Sequence, residues 1–105
     1  MNRALADHHH SHDATLILFI TGEAPRSRRA QQHLKTALAA SGADLAPARE
    51  IDLLSAPQEA IDFGIFATPA LMIIDASGKR QVLYGDLSDG HSLSHFLAAL
   101  SAPTP

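Results

Sequence analysis

The sequence has no cysteine. Disulfide stapling, thiolate nucleophiles and cysteine-based zinc sites are therefore excluded. It has no tryptophan, one tyrosine and four phenylalanines, so any core must be largely aliphatic. Hydrophobic residues still make up 46% of the 105 positions, enough for one compact domain. Positive charge is also sparse: eight Lys and Arg, dispersed along the chain, stand against eleven Asp and Glu, for a formal net charge of −3. That balance argues against a nucleic-acid binder with a broad basic surface. No apolar run approaches the roughly 20 residues of a membrane span. The opening stretch MNRALADHHHSHDA lacks the continuous apolar core of a signal peptide, which makes a cytoplasmic protein the expectation.

What is present reads in order. Residues 1–13 are polar, His-rich and without periodicity, and read as a flexible tail ahead of a single domain at 14–101. TLILFI (15–20) is β-branched and aromatic with no polar alternation, the pattern of a strand covered on both faces. Pro25 suits the first turn of a helix, because its missing N–H needs no partner there. Ala30, Leu34, Ala37, Leu38 and Ser41 then recur at helical spacing, and Gly42 stops the helix. LAPAREIDLL holds a second strand with Ile51 and Leu53 toward the core, and Pro47 fits its start or an edge. In SAPQEAIDFGI a helix restarts, with Ser55 as N-cap, Pro57 and Glu59 in the first turn, and Ile61 and Phe63 facing inward. ALMII after Pro69, the turn DASGK with Gly78 at positive φ, and RQVLYG predict a hairpin. Ser88 or Asp89 caps a last helix marked by Leu93, Phe96, Leu97 and Leu100, and residues 102–105 fray. Phe63, Phe66, Ala70, Leu71, Ile73, Leu93, Phe96 and Leu97 form the expected core; an exposed Phe66 beside Pro69 would instead mark a contact surface.

The resulting order, β-α-β-α-β-β-α with a proline ahead of the third strand, resembles the α/β thioredoxin-like fold, a mixed four-stranded sheet flanked by helices. Three segments, LFITGEAPRSRRAQQHL, IDLLSAPQEAIDFGIFATPAL and YGDLSD, make the chain similar to the KaiB family of small circadian-clock proteins over about residues 15–100. The same domain opens the SasA-type sensor kinases. The resemblance implies a cis Thr68-Pro69 bond and a non-catalytic recognition module for a KaiC-like ATPase or a histidine kinase, in clock- or stress-related signalling, with no cofactor. It also implies a second, resting fold in some members, with Gly85 and Asp86 at the positions that balance the two. The hairpin turn IIDASGKRQ replaces the family's proline-rich connection and favours the thioredoxin-like topology, as a monomer or weak oligomer.

Candidate site residues follow. In thioredoxins a Cys-x-x-Cys pair opens the first helix; here GEAPRS stands there, and thiol exchange has no nucleophile. Ser27 as a hydroxyl substitute in glutathione or related thiol handling is the alternative function, against an ordinary helix-start residue. Arg26, Arg28 and Arg29 oppose the helix dipole and read as a solvated face, a docking patch for an acidic partner, or a phosphate contact. Ala48, Arg49, Glu50 and Asp52 form an edge open to strand addition. Thr68, Pro69, Gly85 and Asp86 are structural or switch positions. His8, His9, His10 and His12 could take zinc, copper or nickel, yet a run without fixed geometry reads first as adventitious. His33, His91 and His95 read as surface or half-buried packing residues.

Overall fold

Thr15–Ile20 forms strand β1, and every residue after Thr15 in it is buried. The computed structural model describes residues 14–41 and 48–101. After β1 come α1 (Pro25–Ser41), β2 (Arg49–Asp52), α2 (Pro57–Asp62), β3 (Ala70–Ile74), β4 (Arg80–Tyr84) and α3 (Gly90–Ser101). The strands make one mixed sheet in the order β2-β1-β3-β4. β2 runs parallel to β1; β3 is antiparallel to β1, and β4 to β3. This is the thioredoxin-like arrangement that the sequence pattern predicts, and the Thr68-Pro69 bond is cis.

The absence of polar alternation in β1 has a direct physical counterpart. Successive side chains of a strand point to opposite faces. Leu16, Leu18 and Ile20 enter a cluster with Ala30 and Leu34 of α1, Leu71 and Ile73 of β3, and Leu93 and Leu97 of α3. Ile17 and Phe19 enter a second cluster on the other face, with Ile51, Ala60, Ile65, Ala70 and Met72. Both faces are covered, so both sets must be apolar. Phe19 is completely buried, and its ring meets Phe63 edge-on at 5.7 Å between centroids. Burying a side chain of that size contributes about 1.5–3 kcal/mol.

Local chemistry sets the turns. The Asp75 carboxylate accepts from the N–H groups of Ser77 and Lys79, and Gly78 takes φ +90°. Asp89 caps α3 as expected: its carboxylate accepts from the Ser92 N–H and hydroxyl. The tail reading at 1–13, the roles expected of Gly42 and Pro47, and the fraying expected at 102–105 lie outside the described residues.

Three expectations are corrected. Ser55 does not cap α2; the capping position is Ala56, with no side-chain bond, and the Ser55 N–H instead donates to the Asp52 carbonyl. Ile61 does not face inward but is 65% exposed. The α2 residues that reach the second cluster are Ala56, Ala60 and Phe63, spaced four and three apart. A pair spaced by two, such as Ile61 and Phe63, cannot share that helical face. Phe66 is not core but 84% exposed; it is its neighbour Ile65 that is buried in the second cluster.

Candidate functional site

The register brings one end of every strand together. Ile20 stands opposite Asp52, Phe19 opposite Ala70, and Ala70 opposite Tyr84. The segments that leave or enter the sheet there are Thr21–Ala24, Leu53–Ser55, Phe66–Pro69 and Gly85–Asp89, and α1 starts beside them.

Short polar side chains hold this end. The Thr21 and Thr68 hydroxyls lie 2.6 Å apart, linking the start of the β1–α1 loop to the residue before Pro69. The Pro69 carbonyl accepts from the Gly85 N–H at 2.9 Å. The Asp52 carboxylate accepts from the Gly22 and Leu54 N–H groups, each at 2.9 Å. These two backbone bonds, Gly22 first, hold its pKa below the ordinary carboxylate value. Ser27 is 1% exposed, and its Oγ accepts from the Thr21 N–H at 3.0 Å. The Ser27 hydroxyl is thus an internal acceptor for the β1–α1 loop.

The β4–α3 loop has the least ordinary backbone. Gly85 takes φ +111°, and Leu87, buried, takes φ +64°. Side chains of α1 tie this loop down. Arg29 Nε donates to the Asp86 carboxylate at 3.1 Å, and His33 Nδ1 lies 2.8 Å from the Asp86 carbonyl, so it carries the proton of that bond. Hydrogen bonds from the Ser88 side chain, then from Arg29 and the Ser88 N–H, hold the Asp86 carboxyl down at about 2. Asp52 and Asp86 are therefore fixed anions near neutral pH and are poorly suited to carrying protons in catalysis.

The arginines of α1 separate here. Arg28 pairs with Glu23 at 3.3 Å, both well exposed, and Arg29 pairs with Asp86. Among the described residues Arg26 has no acidic partner. It lines a cleft of about 270 Å³ with Tyr84, Gly85, Asp86, Ser88 and Asp89. The β2 residues form a separate group at the sheet edge: Arg49 pairs with Glu59, and Glu50 accepts from Gln31 of α1. Ala48 is half-buried against the first cluster. The candidates grouped in sequence thus fall into two places, the proline end and the β2 edge. His8, His9, His10 and His12 lie outside the described residues.

Sequence reasoning missed two exposed apolar side chains at the proline end. Leu54 is 73% exposed and lies against Gly22; Tyr84 is 39% exposed, its ring 4.9 Å from that of Phe66. No periodicity marks them, since exposure there depends on which distant loop covers the sheet end.

In sequence the chain is similar to the circadian clock oscillator protein KaiB of Gloeothece citriformis, 38% identical over 74 residues, 70% of this chain and 69% of that protein. The chain belongs to the KaiB family. No established family profile matches it. Among solved structures, this KaiB-family chain is similar to the N-terminal domain of Synechococcus elongatus SasA, with TM-score 0.67 and 28% identity over 88% of this chain and 87% of that one. A thioredoxin from Halobacterium salinarum aligns with TM-score 0.70 at 21% identity, over 100% of this chain and 89% of that one, a likeness of fold alone. No helix among the described residues is long and apolar enough to cross a membrane.

Proposed function

We propose that this KaiB-family chain is a non-catalytic docking module that binds a KaiC-like ATPase or a signalling histidine kinase. One observation carries the reading. At the turn where thioredoxins hold reactive sulfur, this chain has a buried Ser27 whose oxygen is already engaged by the Thr21 N–H. No thiolate is available anywhere in the sequence. What surrounds that turn is instead exposed apolar surface and a cation without an acidic partner among the described residues, features that suit contact with another protein. The 38% identity to a clock oscillator protein and the likeness to the N-terminal domain of SasA support the choice of partner.

Two surfaces serve the docking. Arg26, Arg28 and Arg29 at the start of α1 steer an acidic partner, and the edge strand from Ala48 to Asp52 offers its free side for strand addition. The test is retention of a KaiC-like ATPase or histidine kinase from the same organism on the immobilised full chain, with the ATPase in ADP- and ATP-bound forms. Retention in one nucleotide state is the expected result. No retention of any of them removes the assignment, and measured turnover of glutathione or another thiol would replace it with the enzymatic alternative.

A further inference from the structure

The proline end carries more information about its partner than a general docking role requires. We infer that it binds an extended segment of a partner protein in which an apolar side chain sits next to an acidic one. This rests on the docking reading above and names the chemistry of what docks.

Three features converge. The first is apolar surface: Leu54, Phe66 and Tyr84 are exposed at the same end of the sheet, and the Phe66 and Tyr84 rings already contact each other. An exposed phenylalanine is a large apolar area left in water, and aromatic anchors of this kind dominate binding energy when covered. The second is main chain. Phe66, Ala67 and Thr68 make no backbone hydrogen bond among the described residues, although they lead directly into β3. Their backbone donors and acceptors are therefore open to pairing with a segment of another chain.

The third is charge. Asp86 and Asp89 also line the cleft beside Tyr84. Asp86 is held by Arg29 and Ser88, and Asp89 by the start of α3. Arg28, Arg29 and Arg49 each have an acid. Among the described residues Arg26 is left as the unmatched cation at the cleft, and a carboxylate of the incoming segment would complete it.

A random peptide library displayed on phage and selected on the immobilised full chain tests this. The expected product is a set of peptides with adjacent apolar and acidic residues. Phe66→Ser should weaken the selected peptides about thirtyfold, the loss of one aromatic anchor. Arg26→Glu should weaken them about tenfold, and a peptide with Lys in place of its acid should recover binding to that variant. Lys35→Glu, nine residues along the same helix and about 13 Å away, makes the same charge change and should leave binding unaltered. No enrichment over a blank surface, selected peptides without acidic bias, or affinities unmoved in Phe66→Ser and Arg26→Glu would each overturn the inference. If the ATPase or kinase is still retained by both variants, the docking reading survives and only this inference falls. If the unaltered chain retains neither, the docking reading falls on its own test.

Discussion

The two ends of β1 obey different physics. Along its length, from Leu16 to Ile20, side chains alternate into two apolar clusters, and burial alone decides what is tolerated. Just past its C-terminal end, single polar groups hold the chain: the Thr21 and Gly22 N–H groups donate to Ser27 and Asp52, and the Thr21 hydroxyl meets that of the distant Thr68. Apolar side chains there face water. A few residues of one strand and its loop thus separate the part of the molecule that makes the fold stable from the part that leaves apolar side chains in water.

The largest effect should come from the buried side. Phe19→Ala removes a ring completely enclosed between β1 neighbours, Phe63 and Met72, and should cost about 3–5 kcal/mol in denaturant unfolding. A loss below 1 kcal/mol would show that the second cluster collapses around the gap. Ser27→Ala leaves the Thr21 N–H without its acceptor in a part-buried place and should cost about 1–3 kcal/mol. If stability is unchanged, water has replaced the hydroxyl and the loop is less enclosed than the contrast requires.

Gly85→Ala should cost a similar or smaller amount, about 1 kcal/mol or more. The nearest atom to an added Cβ is Arg26 Nη2 at 3.9 Å, so space is adequate and the penalty is the φ of +111° itself. Amide spectra that gain a second set of peaks in this variant would support a balance between two folds; one unaltered set would remove that idea.

Asp86 sharpens the contrast by titration. Its folded pKa, about 2, lies below the ordinary 3.8, so its stabilising effect is present above pH 4 and is lost as pH falls from about 4 through 2. The carboxyl carbon resonance should move with a midpoint near 2, and Arg29→Gln should raise that midpoint. A midpoint near 4 in the unaltered protein would mean that the α1 latch on the loop is not formed. The smallest effect belongs to Phe66→Ser, which should change stability by no more than about 0.5 kcal/mol. A larger loss would mean that the ring supports the Pro69 turn.

Much of this was readable in advance. Unbroken apolarity at 15–20 announces a strand covered twice, Pro25 marks a helix start, and Asp89 sits where a cap is needed. The failures are specific. Ile61 was read with Phe63, a spacing that no helix face allows. Phe66 is expected in the core, with an exposed contact residue as the alternative, and hydrophobicity alone does not say which of the two a residue in a connecting segment will be. Asp52 is expected at a docking edge and Ser27 as an ordinary helix-start residue or a hydroxyl substitute; both prove to be acceptors for backbone N–H groups of the β1–α1 loop.

Sequence by itself determined the order of elements and the loss of thiol chemistry, because periodicity is a local property and an absent atom cannot be supplied by folding. It did not determine that Leu54, Phe66 and Tyr84 would stand uncovered at one end, or that Arg26 alone of the helix-start arginines would lack an acid among the described residues. Those facts depend on which distant segments arrive at the sheet end, and only the packed chain brings residues 22, 54, 68 and 85 to the same place.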